Sequence, residues 1–193
     1  MFSIYKVRKT AKAIDFKKRP LVFIDLETSG LDFLRHEILE IGCLVVDPQT
    51  LEVKKEFEVK VKPESLAKAD PEALRMIGYS ITGWRRAKSL KTALKELNRL
   101  APGGMFVGWN ISFDRPFLEK AAREKGIILD FDYHWLDVMS IAYERFLKEK
   151  KVNRFRLNFI CEFLGIPRGR SHRAMSDTVA VLAVYRRLRQ LSF

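Results

Sequence analysis

Nine consecutive residues, Ile38–Val46, read ILEIGCLVV with a single charge among them. A run this short and this continuously apolar suits a strand buried on both faces rather than a half-exposed one. A strand of that kind needs neighbours on both sides and helices above and below it. The flanking sequence supplies them. Leu21–Leu26 is a second strand-like run. Val53–Val61 alternates apolar and polar residues, as a half-exposed strand does. The turn residues Asp47-Pro48-Gln49-Thr50 join the buried run to Val53–Val61 as a hairpin. Shorter strand-like segments follow at Met105–Trp109 and Trp135–Val138. Between and after them the pattern turns helical. Asp70-Pro71 is a cap followed by a first-turn proline. Ser89–Leu100, Arg115–Lys125, Ser140–Lys150, Arg156–Leu164 and Ser176–Leu191 read as helices, the second of them ended by Gly126. Three strands first, then strands alternating with helices, predict an α/β domain. Its expected core is a mixed five-stranded sheet, the first three strands antiparallel, flanked by helices. Residues 1–20 are expected to form a basic N-terminal arm, and 21–193 one domain.

Charge narrows the range of functions. The net charge is +12, which favours a polyanionic partner, nucleic acid first. Its distribution is uneven. Met1–Pro20 holds seven Lys/Arg against one acid, and Arg145–Arg173 nine against two. Asp25–Glu72 reverses the sign, with twelve acids against six bases. An acidic patch inside a basic molecule is what a metal-dependent enzyme acting on a polyanion needs: carboxylates for cations, cations for phosphates. The two cysteines, Cys43 and Cys161, read as buried thiols, and two isolated thiols make no metal site. No run approaches the roughly 18 apolar residues of a membrane helix. The first twenty residues lack a secretory pattern, so a cytoplasmic protein is expected.

Three short motifs carry chemistry. In FIDLETSG, Phe23–Gly30, Asp25 and Glu27 sit two apart at a strand end. Residues i and i+2 of a strand share a face, about 6–7 Å apart at Cα. Two carboxylates that close repel unless a cation lies between them. Thr28-Ser29-Gly30 then leaves the strand through a turn whose backbone could meet a phosphate or sugar. In VGWNISFD, Val107–Asp114, a strand runs into a turn and Asp114 lies just before a helix. Taken alone, Asp114 would pass for a cap. In SHRAMSD, Ser171–Asp177, His172 lies between Arg170 and Arg173, and Asp177 enters the last helix. Alone these two would pass for a surface histidine and another cap. The chain has neither the G-x-S-x-G elbow of a serine hydrolase nor a phosphate-cradling P-loop.

In this order the three motifs resemble the DEDDh exonucleases. These form the DnaQ-like branch of the ribonuclease H-like superfamily, which includes the proofreading epsilon subunit of bacterial DNA polymerase III. The matching residues are the Asp25 and Glu27 of DLETSG, Asn110-Ile111-Ser112-Phe113-Asp114 as N-x-x-F-D, and His172 to Asp177 as H-x-A-x-x-D. The resemblance runs from Leu21 to about Leu191. It implies a ribonuclease H-like fold and hydrolysis of single-stranded DNA or RNA from 3′ ends to 5′-mononucleotides. It implies two divalent cations, Mg²⁺ or Mn²⁺, bridged by Asp25. Glu27 and Asp177 would help hold the first and Asp114 the second. His172 would be the general base. Thr28, Leu31, Trp109, Asn110 and Phe113 are the implied substrate contacts, and a DNA polymerase could be a partner. Trp109 stands where many members have His, a change that bears on substrate rather than on activity. His134 and Asp137, three apart in a strand, are expected to be structural. A non-catalytic binding or polymerase-docking module on the same fold is the alternative, and it predicts a lost ligand. All five positions are present.

Overall fold

The computed structural model describes residues 4–5, 15–169 and 171–191. Most of residues 1–14, which make up much of the expected basic arm, lie outside that set. Five strands form one sheet: β1 (Leu21–Thr28), β2 (Ile38–Val46), β3 (Val53–Lys60), β4 (Met105–Gly108) and β5 (Trp135–Asp137). Their order is β3-β2-β1-β4-β5. β1 pairs antiparallel with β2, and β2 antiparallel with β3. β4 lies parallel to β1, and β5 parallel to β4. The expected mixed sheet is therefore observed, and all nine residues of β2 are buried.

Among the described residues six α-helices cover the sheet: α1 (Pro71–Ile77), α2 (Leu90–Leu97), α3 (Ile111–Glu124), α4 (Val138–Phe146), α5 (Leu157–Phe163) and α6 (Ala174–Gln190). Strand alternation divides the core in two. Val22, Ile24 and Leu26 of β1 pack with Leu94 of α2 and Leu118 of α3. Leu21 and Phe23 point the other way, into a second cluster with Val138 of α4, Ile160 of α5 and Val181 of α6. No helix among the described residues is long and apolar enough to cross a membrane. Both cysteines are buried and free, as expected.

Side-chain caps set the starts of three of the six helices, α1, α2 and α4. The Asp70 carboxylate accepts from the Glu72 amide, with Pro71 in the first turn, and Ser89 Oγ accepts from the Thr92 amide. The main difference from expectation is α3, which begins at Ile111 rather than at Arg115. Pro116 reads as a first-turn proline and so suggests a later start. Instead Asn110 takes a left-handed conformation, φ 57°, and turns the chain into the helix four residues earlier. Asparagine tolerates that conformation better than most residues. At the N-terminal side, Tyr5 is buried: its hydroxyl donates to Glu119 and accepts from the Trp135 indole N–H.

Candidate active site

The alternation that sends Leu21 and Phe23 under α6 also delivers Asp25 and Glu27 to that face. Their cross-strand partners on β2 are Gly42 and Glu40. Gly42 matters because nothing larger fits there. A Cβ at Gly42 would come within 2.3 Å of the Ala174 carbonyl carbon and 2.4 Å of the Met175 nitrogen. The first turn of α6 thus rests directly on the sheet beside Asp25. The Thr178 hydroxyl pins it there by donating to the Gly42 carbonyl oxygen at 3.1 Å. This seating carries Asp177, in the first turn of α6, down to the carboxylates of β1. Ligand atoms of Glu27, His172 and Asp177 lie within 4.8 Å of one another.

Asp114 arrives from the other helical layer. β4 pairs with β1 only at Leu21, Val22 and Phe23, so β1 runs on past that ladder. The Leu26 amide donates instead to Asp114 Oδ1, at 3.0 Å. Asp114 is buried and lies within the first turn of α3, not before the helix. Asp137 supports the arrangement. Its Oδ1 accepts from the Asn110 and Met139 amides at 2.9 and 3.2 Å, and its Oδ2 from the Ser140 hydroxyl at 2.6 Å. One carboxylate therefore caps α4 and tethers the turn before α3. The structural role expected for Asp137 agrees with this. His134 faces Asp132 instead, 2.7 Å from Nδ1 to the carboxylate.

The electrostatics are those of crowded acids. Burial, then Asp114, Glu27 and Asp177, push the Asp25 carboxyl well above its ordinary range. Burial first, then Asp177, Glu40 and Asp114, push Glu27 up to about 8. Burial raises Asp114 to about 7, against the pull of the Leu26 amide. Burial also raises Asp177, opposed by Arg168 and His172. Arg168 is a cation that the sequence motifs leave out. Its guanidinium ion-pairs with Asp177 and lowers the cost of charging Asp25 as well. Arg168, with Arg173 acting on Glu27, cannot neutralise four carboxylates. A donor set of hard oxygens that repel one another and already draw in a cation fits a hard divalent cation.

The implied substrate contacts are placed less uniformly. Leu31 is 81% exposed in the loop after β1. Thr28 is buried, and its hydroxyl donates to the Gly30 carbonyl oxygen, which shapes the turn. Phe113 packs on Phe117 with ring centroids 5.1 Å apart, and Trp109 is half-buried against the α4–α6 core. Asn110 is exposed at the start of α3. A separate cleft of about 440 Å³ lies beyond the loop, lined among others by Leu34, Lys68, Phe117 and Lys120, and contains neither the four acids nor His172.

Comparison with known proteins converges on one group. The RNase T exonuclease family matches residues 22–185. A DNA polymerase III of PolC type from Thermotoga petrophila is 25% identical over 181 residues, covering 94% of this chain and 13% of the polymerase. The chain thus spans a small fraction of the PolC-type relatives it matches. An oligoribonuclease from Tropheryma whipplei is 27% identical over 180 residues, covering 86% of this chain and 91% of the relative. Among solved structures, the nuclease domain of 3′hExo, a DEDDh family member bound to rAMP, superposes with a TM-score of 0.73 at 19% identity, covering 93% and 94% of the two chains. Escherichia coli exonuclease I in complex with a dT13 oligonucleotide superposes with a TM-score of 0.76 at 18% identity, covering 89% of this chain and 41% of the other.

Proposed function

This chain belongs to the RNase T exonuclease family, and from that premise we propose that it is a DEDDh exonuclease that hydrolyses single-stranded nucleic acid from the 3′ end and releases 5′-mononucleotides. One observation carries the proposal. Four carboxylates from β1, α3 and α6, distant in sequence, meet at one end of the sheet with a histidine beside them. Asp25, Glu27, Asp114 and Asp177 would hold two divalent cations, Mg²⁺ or Mn²⁺. Such a pair, when bound, would neutralise the scissile phosphate and stabilise both attacking and leaving oxygens of an in-line displacement. The protein's own contribution is arrangement and proton transfer. Asp25 and Glu27 are fixed by the sheet, Asp114 by the Leu26 amide, and Asp177 by the seating of α6 on Gly42. His172, exposed and next to Glu27 and Asp177, is placed to take the proton of the attacking water. Leu31, exposed after β1, would pack on the terminal base, and Asn110, Trp109 and Phe113 would be the further substrate contacts. The turn at Thr28 offers backbone to the terminal nucleotide.

The similarity to PolC-type polymerases supports a DNA polymerase as a partner, and the similarity to oligoribonuclease supports short RNA as a substrate. A cytoplasmic enzyme of nucleic-acid turnover accommodates both. The deciding experiment uses matched DNA and RNA oligonucleotides labelled at the 5′ end, with Mg²⁺ or Mn²⁺, beside a circular control. Stepwise shortening of linear substrates is expected, with the circle untouched. Asp25→Ala and Asp177→Ala are each expected to abolish shortening while leaving the circular dichroism spectrum intact. Shortening by either variant, or none by the wild type with both metals, refutes the reading. Cutting of the circle points to an endonuclease.

A further inference from the structure

Glu40 is the one charged residue of β2, and it is fully buried, with no exposed surface. Neither of its carboxylate oxygens has a hydrogen-bond donor among the described residues. An unpaired buried carboxylate is costly, and a protein that keeps one uses it or pairs it. Side chains two apart on β2 share a face, so Glu40 lies on the same face as Gly42, the face that receives α6. Its cross-strand neighbour is Glu27. Lys60 is its cross-strand neighbour on β3, and among the described residues the cation that ion-pairs with it is Arg173, whose Nε stands 3.8 Å from Glu40 Oε1. That is an ion pair too long for a hydrogen bond, across a gap that two flexible side chains could close. Burial pushes the Glu40 carboxyl up to about 7, helped by the neighbouring Glu58 carboxyl and opposed by Arg173 and Lys60.

Arg173 is itself a junction. It is the residue before α6, with extended backbone, φ −137° and ψ 115°, and its carbonyl accepts the first helical bond from the Asp177 amide at 3.0 Å. Immediately before it, His172 takes a left-handed conformation, φ 59°. Histidine pays a penalty for that conformation, and it persists only where the surroundings enforce it. No side-chain cap bond holds the start of α6. Three contacts fix the turn: the His172 amide on the Asp177 carboxylate, the seating of the first helical turn on Gly42, and the electrostatic hold on Arg173.

We propose that Glu40 is a positioning residue: its buried carboxylate anchors Arg173 to the sheet and so holds the preceding left-handed turn that presents His172 to Glu27 and Asp177. Glu40 touches neither substrate nor the reacting water in this scheme. It acts through Arg173. The proposal rests on the role given above to His172, but one arm of its test does not depend on catalysis.

The first arm is nuclear magnetic resonance of the metal-free protein. The chain has three histidines, His36, His134 and His172, so their ring resonances can be assigned by substitution. In Glu40→Gln the His172 ring signals are expected to shift or broaden, with those of His36 and His134 unmoved. Arg173→Gln, which removes the cation and leaves the sheet untouched, is expected to do the same, and keeps the test available if Glu40→Gln folds poorly. The second arm is kinetic. Glu40→Gln is expected to lower kcat roughly ten-fold to a hundred-fold with KM nearly constant, the range for a catalytic group displaced by about 1 Å. In a His172→Ala background the same substitution is expected to add nothing. His172 resonances unchanged in both charge-removing variants, or a loss from Glu40→Gln as large without His172 as with it, overturns the proposal. If the wild type proves inactive, the proposed function fails, and the resonance arm still decides the positioning role.

Discussion

Asp25, Glu27, Asp114 and Asp177 share one physical problem: burial raises the cost of ionising each, and the neighbouring site acids add to it at Asp25 and Glu27. The sign of the pH dependence follows. A carboxyl whose folded value is raised favours the folded state most while it is protonated, below its unfolded value of about 4. That advantage is lost as the pH climbs, through about 7 for Asp114 and about 8 for Glu27. The metal-free thermal midpoint is therefore expected to fall between pH 5 and pH 8.5, and Mn²⁺ to raise it more at pH 8 than at pH 6, as read by scanning fluorimetry in chelator or metal. Asp47 and Glu52 shift the opposite way, through backbone amides and Lys54 respectively, so their effect lies below this window. Asp25→Asn isolates the cluster. It removes one of the repelling charges, so its metal-free midpoint is expected to rise by a few degrees, about 2–4 °C per kcal/mol in a domain of this size, while activity is lost. A midpoint that drops in the Asp25→Asn protein relative to wild type, or a wild-type midpoint flat across the window, would contradict the crowding described here.

At the scale of elements, the site depends on how α6 and α4 are seated. Gly42→Ala places a methyl group against the backbone of Ala174 and Met175. Backbone cannot swing aside as a flexible side chain can, so the helix must lift. The expected cost is about 1–3 kcal/mol, as for other overpacked cores, with loss of activity because Asp177 and His172 move with the helix. Urea denaturation and the nuclease assay check the two parts, and a fully active Gly42→Ala protein would show that α6 is not seated as described. Asp137→Ala is expected to cost about 1 kcal/mol as a lost cap and to reduce activity further by freeing the Asn110 turn that orients Asp114. These contacts also explain what could be read in advance. β2 was legible because an apolar run of nine has few other homes, and Asp25 and Glu27 because strand alternation is strict. The start of α3 was not, since it turns on the left-handed Asn110, while Pro116 points to a later beginning. Arg168 and Glu40 were not legible as site residues either. Each acquires its setting from a neighbour distant in sequence or across the sheet, Asp177 for the one and Arg173 with Glu27 for the other, and no local pattern records such a meeting.

The whole molecule combines a net charge of +12 with an acidic centre. The acids are gathered by the fold from positions 25 to 177, whereas the bases are spread over many exposed positions, among them Arg85, Arg86, Arg154 and Arg156. The two charge sets thus do different work: the local cluster would hold cations, and the surrounding surface would attract the phosphate backbone over a longer range. Such attraction is screened by salt, because each phosphate neutralised releases counterions. Single-strand binding weakens with log salt at a slope of about −0.7 for each phosphate contacted. If four phosphates lie on the basic surface, affinity is expected to fall about fifty-fold between 50 and 200 mM salt. The measurement is fluorescence anisotropy of a labelled single-stranded oligonucleotide on the Asp25→Asn protein, in chelator, so that only protein cations contribute and the strand is not degraded. A fall of less than about three-fold would leave about one phosphate engaged at most, and would place the binding energy in base contacts such as Leu31 rather than in the charge of the surface.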